Sequence, residues 1–462
     1  MTSPILRRGL LCCVLVLIIA QFDVSHGQQP LWDRQLNDDE FEIDDGDQDE
    51  FDNFNVQTSF IDRSFTGSAS FGCARVKTLL QTGTAVKDLS PEDIDVVATM
   101  GDAVATGLGL WPSAEIEFRG AVFTTGGDAN VDGLPTVSNI LMQFNPHLQG
   151  VSHGMGTVAQ LPREQLNVAR AGAETDTLVS QATELVERLS VLNATRVGEP
   201  LREQWAMIFI TIGTEELCAK CDEPNIKILR RALHILRKGV RKALVVVVGP
   251  VHVAKSTQLT YNLLKPRCPC LNTISDHKLR QIQQRWKAAF LELEADFNEH
   301  ATSTFEVLAL PLLLISSRYP EQLFIAEKPL LNRRGHAYAA KWLWNRLITG
   351  PKYNASRVSL SEDAYYCPSL GCPYFRTQAN LLSCTTTTLQ DAARRKALNE
   401  TRYKTVNPVT PNPRVDWMQT NLAWTVIVIV VLASISVCTL GSMVYCHGLK
   451  QTKGRFEQVQ GV

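Results

Sequence analysis

The fold of this chain is set by a nearly continuous apolar run that ends in a turn, with the sequence VVATMGDA at residues 96–103. Such a run, without polar and apolar alternation, is typical of a strand buried on both faces of a parallel sheet. Together with 94–100, similar runs at 206–212, 244–248 and 305–310 predict four buried strands.

Amphipathic segments separate these runs. From Ser275, a predicted N-cap, apolar residues recur at spacings of three and four. They are Leu279, Ile282, Trp286, Phe290, Leu293 and Phe297. A second stripe consists of Ile228, Leu229, Ala232, Leu236, Val240 and Ala243. Alternating strands and helices predict an α/β fold, with a parallel sheet covered on both faces and functional groups at the carboxyl ends of its strands.

The second helix also carries a basic surface. It consists of Arg230, Arg231, Arg237, Lys238, Arg241 and Lys242. This pattern predicts a solvated helix face, and a seat for lipid phosphate is the alternative. The formal net charge of the chain is −1, so no global charge draws it to nucleic acid or to acidic lipid.

Both ends carry signals for export and anchoring. Arg7 and Arg8 precede an apolar run at 10–20, and small residues follow, so residues 1–27 are predicted to be a cleaved signal peptide. A charge-free stretch at 422–445 is long enough to span a bilayer, which predicts a transmembrane helix over 421–446. Basic residues at 450, 453 and 455 place the tail, 447–462, in the cytoplasm. We expect a single-pass type I protein that reaches the plasma membrane by the secretory pathway, with its bulk outside the cell.

The outer compartment is oxidising, so an even set of eight cysteines there predicts disulfides of unassigned connectivity. They are Cys73, Cys218, Cys221, Cys268, Cys270, Cys367, Cys372 and Cys384. For Cys218 and Cys221, a redox pair or half of a zinc site are the alternatives, although no second pair lies at ligand spacing. Glycosylation acceptors are predicted at Asn193, Asn354 and Asn399.

Composition divides the remaining chain into three parts. Residues 28–70 are acidic without a regular period, which predicts a disordered arm. It is a solvated tail or, as an alternative, a ligand for a basic partner. Residues 71–377 form the predicted folded domain. Threonines and prolines then predict a stalk over 378–420.

Several short motifs in the domain carry a family resemblance. They are Gly101-Asp102-Ala103, Arg119-Gly120, Gly126-Gly127-Asp128, the segment NVARAGA at 167–173 and the segment GTEELC at 213–218. These segments resemble the GDSL or SGNH hydrolases, and most closely their membrane-associated phospholipase B branch. The resemblance covers about 71–377 and implies a flavodoxin-like three-layer α/β sandwich.

The resemblance also implies where catalytic residues stand, and most of them differ here. Ala103 occupies the position of the nucleophilic serine, and Glu215 that of an asparagine that donates to the oxyanion. Glu327 and Leu330 occupy the positions of the aspartate and the histidine base. Gly172, whose backbone N–H is the other oxyanion donor, is retained. An ionised carboxylate accepts hydrogen bonds only, so Glu215 is expected to repel the oxyanion.

The sequence therefore predicts a hydrolase scaffold without its chemistry. We expect it to bind a phospholipid or lysophospholipid in a cleft formed by Asp102, Ala103, Gly172, Glu215 and Leu330, or to bind an extracellular protein. No cofactor and no metal are expected. Two alternatives remain: an adhesion or scaffold ectodomain with an empty cleft, and an active phospholipase or lysophospholipase that uses displaced residues such as Asp102, Glu327 and His336. Packing or capping is the expected role of His336.

Overall fold

The computed structural model describes residues 64–111, 115–195, 203–254, 262–317, 319–351, 365–406 and 421–452. The predicted signal peptide, the acidic arm up to residue 63, part of the stalk and most of the cytoplasmic tail lie outside these ranges, as does Asn354.

In the part of the chain that the structure describes, eight strands form three sheets. The strands are β1 (Ser64–Phe65), β2 (Ile94–Gly101), β3 (Trp205–Thr211), β4 (Ala243–Val248), β5 (Val251–Ala254), β6 (Phe305–Leu310), β7 (Leu313–Ser316) and β8 (Tyr365–Tyr366). The central sheet is parallel in the order β2-β3-β4-β6, and these are the four predicted strands. The strands β5 and β7 form a parallel pair, and β1 and β8 form an antiparallel pair.

Eleven α-helices lie in the described ranges. They are α1 (Ala103–Thr106), α2 (Val137–Phe144), α3 (Leu178–Thr195), α4 (Thr214–Lys220), α5 (Ile226–Gly239), α6 (Pro269–Thr273), α7 (Asp276–Glu299), α8 (Arg333–Thr349), α9 (Gln378–Leu381), α10 (Leu389–Val406) and α11 (Leu422–Thr452). Helix α5 contacts both α3 and α7 in one layer, and α2 contacts α8 in another. The predicted α/β sandwich with a parallel sheet is confirmed.

The two predicted helices are present, with one difference in length. Ser275 caps α7, because its hydroxyl accepts a hydrogen bond of 3.2 Å from the backbone N–H of Lys278. The second stripe runs past the end of its helix: α5 ends at Gly239, and Ala243 already belongs to β4. On the basic face of α5, Arg230 makes ion pairs with Glu292 and Asp296 of α7.

The boundary regions of the predicted domain contain ordered elements. Phe65, in the predicted arm, is buried, and its strand β1 pairs with β8. In the predicted stalk, α9 and α10 are helical, and the backbone of Thr387 accepts a hydrogen bond of 2.8 Å from the N–H of Gln81. The folded domain therefore extends beyond both ends of 71–377.

All eight predicted cysteines form disulfides, which confirms their structural role. The pairs are Cys73–Cys367, Cys218–Cys268, Cys221–Cys270 and Cys372–Cys384. The two cysteines of the Cys-x-x-Cys motif thus join α4 to the start of α6, and neither the redox pair nor the zinc site is formed. The first disulfide joins residues 294 positions apart, close to the two ends of the domain.

Helix α11 is the membrane-spanning candidate. Its segment Trp424–His447 is long and apolar enough to cross a bilayer and contributes nothing to the buried core.

Candidate functional site

The site begins where β2 leaves the sheet. Gly101 has a φ of 139°, and a Cβ at this position would lie 1.8 Å from the carbonyl oxygen of Thr211 on β3. Asp102 follows as the N-cap of α1, with one carboxylate oxygen 3.0 Å from the N–H of Val104 and the other 2.9 Å from the N–H of Thr214. The buried carboxylate of Asp102 thus caps α1 and also holds the first residue of α4 next to it.

The carboxylate of Glu215 lies over two backbone N–H groups. Its Oε2 accepts a hydrogen bond of 3.0 Å from the N–H of Ala103 and one of 2.7 Å from the N–H of Gly172. Two backbone N–H groups that converge in this way can stabilise a developing negative charge on an oxygen atom. In this chain a side chain from α4 already accepts from both.

Two glycines allow this arrangement. Gly213, just before α4, has a φ of 108°, and a Cβ there would lie 2.3 Å from the Trp286 ring. Gly172 has a φ of 76°, while an added Cβ would meet nothing within 4 Å. At Gly172, therefore, the left-handed backbone is the constraint that favours glycine, and it aims the N–H at Glu215.

Burial and charge shape the titration of the two acids. Burial, together with the nearby charge of Glu215, raises the pKa of Asp102 to about 8, against the backbone N–H donors that lower it. Burial also raises the pKa of Glu215, against the N–H groups of Ala103 and Gly172, which lower it. The pair therefore holds a proton more strongly than two free carboxylic acids would.

A buried arginine holds the Gly172 segment against α1. The Arg119 guanidinium is fully buried and donates to Asn167 Oδ1 at 2.8 Å, to the carbonyl of Ala169 at 2.8 Å and to Glu117 Oε2 at 2.6 Å. Asn167 in turn donates to the carbonyl of Ala105 in α1 at 2.9 Å. In the sequence, Arg119 is recognisable only as part of a short motif. Its burial is not predictable there, because hydrophobic periodicity does not reveal a buried charge.

The predicted aspartate and histidine positions lie in a separate turn. Glu327 is exposed with a φ of 58°, and the N–H of Ile325 donates to the carbonyl of Leu330 at 2.9 Å. The Cβ of Leu330 is 3.1 Å from where a Cβ on Gly109 would lie, so this turn packs beside the loop that follows α1. The structure thus joins Asp102, Ala103, Gly172 and Glu215 directly and places Leu330 next to their loop.

His336 lies inside the fold. It is completely buried near the start of α8, and its Nδ1 accepts a hydrogen bond of 3.4 Å from the N–H of Phe123. Burial lowers the pKa of His336 to about 3. A neutral imidazole held in this way packs against Phe123 and is poorly suited to shuttle protons.

Comparison with known proteins adds a family context. A model of the family described as GDSL-like lipase/acylhydrolase matches residues 97–318. The protein "Phospholipase B1, membrane-associated" of Rattus norvegicus is 28% identical over 345 residues, covering 67% of this chain and 23% of that protein. Its Homo sapiens counterpart is 28% identical over 343 residues, with coverages of 68% and 23%. The chain thus spans about a quarter of the length of the curated relatives it matches.

Proposed function

Because this chain belongs to the GDSL-like lipase/acylhydrolase family, we propose that its phospholipase B-like domain is a catalytically inactive member that binds lipid. The observation that carries this proposal is the carboxylate of Glu215, hydrogen-bonded to the N–H groups of Ala103 and Gly172. An ester substrate needs those N–H groups when its carbonyl oxygen becomes negative.

Each missing part removes a separate requirement of ester hydrolysis. Ala103 offers no nucleophile, and loss of the nucleophile alone lowers turnover on the order of 10⁶-fold in serine hydrolases. Leu330 cannot accept a proton, so no base stands at the expected position. Removing one oxyanion donor costs roughly 10²–10³ in turnover, and here the two backbone donors are occupied by an anion.

Lipid is the proposed ligand class because the matched relatives are named as membrane-associated phospholipases. The serine-to-alanine and histidine-to-leucine differences remove reactive groups and make the cleft more apolar. Binding of an extracellular protein is the other role expected from the sequence, and a lipid-free ectodomain would favour it.

We further place the domain outside the cell, anchored in the plasma membrane by α11. Four disulfides favour an oxidising compartment. Asn399, a proposed glycan acceptor, is exposed on α10, and Asn193 lies near the end of α3. Protease protection of intact cells and digestion with a glycan-removing enzyme test this placement.

The central test is fatty-acid release from phosphatidylcholine and lysophosphatidylcholine by the purified ectodomain. We expect no release by the natural chain, nor by a triple variant with Ala103→Ser, Glu327→Asp and Leu330→His, because Glu215 still fills the oxyanion site. Adding Glu215→Asn should raise turnover at least 10²-fold over the triple variant.

Two results would overturn the proposal. One is release by the natural chain that Asp102→Ala abolishes. The other is a covalent adduct of the natural chain with a fluorophosphonate. Native mass spectrometry tests whether the domain binds lipid. It uses the ectodomain expressed without its membrane anchor, ending at residue 406. A retained lipid supports lipid binding, and lipid-free protein after mild purification contradicts it.

A further inference from the structure

A cavity of about 230 Å³ is lined by neither Glu215 nor the residues that are hydrogen-bonded to it. Its apolar wall includes Leu110 and Leu134, which belong with Ala121 to a small hydrophobic cluster distinct from the main core. Ligand pockets for drug-sized molecules take roughly 300–1,000 Å³, so this cavity fits a head group or fragment.

Two aromatic side chains line the cavity. Phe118 packs against the small cluster, whereas the indole of Trp111 is 47% exposed. The face of an exposed indole attracts cations, quaternary ammonium groups among them. Trp111 thus offers a cation-binding surface at the cavity.

Charges of opposite sign complete the lining. The Asp128 carboxylate is held in place by His153 Nδ1 at 2.7 Å and by the N–H of Gly154 at 2.6 Å. Arg333 is exposed in the first turn of α8, and within the described ranges no carboxylate forms an ion pair with it. The positive end of the α8 dipole adds to its attraction for an anion.

We propose that this cavity binds a small zwitterion of the phosphocholine type. The quaternary ammonium group lies between the Trp111 ring and the Asp128 carboxylate, and the phosphate pairs with the Arg333 guanidinium. The source is a lipid head group or a free phosphocholine, and the lipid source rests on the proposed function. A ligand with only one charged group would pair with only one of the two charged side chains, Asp128 or Arg333. The lining therefore favours the intact zwitterion.

Calorimetric titration of the purified ectodomain with phosphocholine, choline and inorganic phosphate tests the proposal. We expect phosphocholine to bind at least tenfold more tightly than either part. Arg333→Gln and Trp111→Ala should each weaken its binding at least tenfold. Arg334→Gln is the matched control, because this neighbouring arginine donates to Gln322 instead and does not line the cavity.

Flotation with phosphatidylcholine and phosphatidylglycerol vesicles then separates the sources. Preference for phosphatidylcholine that Arg333→Gln removes indicates the lipid head group, and binding of phosphocholine without vesicle binding indicates the free zwitterion. Equal affinity for phosphocholine and choline, or phosphocholine affinity unchanged in both variants, would overturn the proposal. Phosphocholine has no carboxylic ester, so these outcomes are independent of whether the domain hydrolyses lipid.

Discussion

At the scale of single residues, the Glu215 carboxylate is an acceptor that lies against two backbone N–H donors, those of Ala103 and Gly172. From the sequence we expected Glu215 to repel an oxyanion, which follows from its charge alone. The N–H groups of Ala103 and Gly172, from which its carboxylate accepts hydrogen bonds, are 112 and 43 residues away in sequence. This contact depends on the turn geometry at three chain segments. No local pattern in the sequence encodes that geometry.

Removing this carboxylate should open the two N–H groups to a dissolved anion. We expect acetate to stabilise Glu215→Ala by about 1 kcal/mol when it exceeds its dissociation constant several-fold, and to leave the natural chain unchanged. Differential scanning calorimetry in acetate and in chloride of equal ionic strength measures the difference. Glu216→Ala is the control, because Glu216 binds Thr175 rather than Ala103. Equal acetate effects on both variants would refute an anion site at this position.

A second residue prediction concerns Gly101. Alanine there places a Cβ 1.8 Å from the carbonyl oxygen of Thr211, inside the central sheet, so we expect a loss of at least about 4 kcal/mol or failure to fold. Gly154→Ala is the control, because Gly154 also has a positive φ, of 73°, but an added Cβ there would meet nothing within 4 Å. It should cost only about 1–2 kcal/mol. Urea unfolding of both variants tests this, and similar losses would contradict it.

At the scale of elements, the four strands of the central sheet are predictable from the sequence because they are buried on both faces and therefore mostly apolar. The strands β1, β5, β7 and β8 were not predicted, since two to four residues carry too little pattern. The apolar stripe of α5 continues in the sequence to Ala243, beyond the end of the helix at Gly239. It does so by chance, because β4, which begins at Ala243, is apolar as well.

The short helix α9 is attached to the sheet through a buried acid. Glu306 on β6 accepts a hydrogen bond of 2.6 Å from the N–H of Gln378, the first residue of α9, and burial raises the pKa of Glu306 to about 7. Below pH 4.5 the acid is neutral in folded and unfolded chains, whereas between 4.5 and 7 only the folded chain keeps the proton. Stability should therefore fall as pH rises through this window, by on the order of 3 kcal/mol.

Glu306→Gln should remove that loss, because its amide oxygen still accepts from Gln378 and carries no charge. We expect the variant to match the natural ectodomain at pH 4.5 and to exceed it in melting temperature at pH 8. The exposed Glu299→Gln serves as control. If the melting temperatures of Glu306→Gln and the natural chain follow parallel curves across this range, the buried acid does not set the pH response.

At the scale of the whole molecule, the disulfide Cys73–Cys367 closes the domain, with β1 paired to β8 near it. Sequence predicted that these cysteines form disulfides but not their pairing, because a 294-residue separation is closed only by the fold. The apolar segment of α11, in contrast, is local in sequence and is recognisable without a structure, whereas the signal peptide stays a prediction.

Removing the Cys73–Cys367 disulfide should lower the stability of the domain strongly. Loop entropy for a separation of this length amounts to roughly 5 kcal/mol, so Cys73→Ser with Cys367→Ser should lower the free energy of unfolding by about that amount. Cys372→Ser with Cys384→Ser removes a disulfide that closes a loop of only 12 residues, so this variant should lose less stability. Denaturant unfolding compares the two, and a larger loss for the short loop would contradict the entropic account.

The hydrogen bonds of Glu215 to Ala103 and Gly172 also determine how well a dissolved carboxylate can compete for the same two N–H groups. An active lipase releases a fatty acid whose head resembles this carboxylate, and the acid leaves by diffusion. Here the equivalent group is part of the polypeptide, and its effective concentration at the two amides is in the millimolar range or above. We therefore expect a dissolved carboxylate at micromolar levels to compete poorly with Glu215 for these two amides.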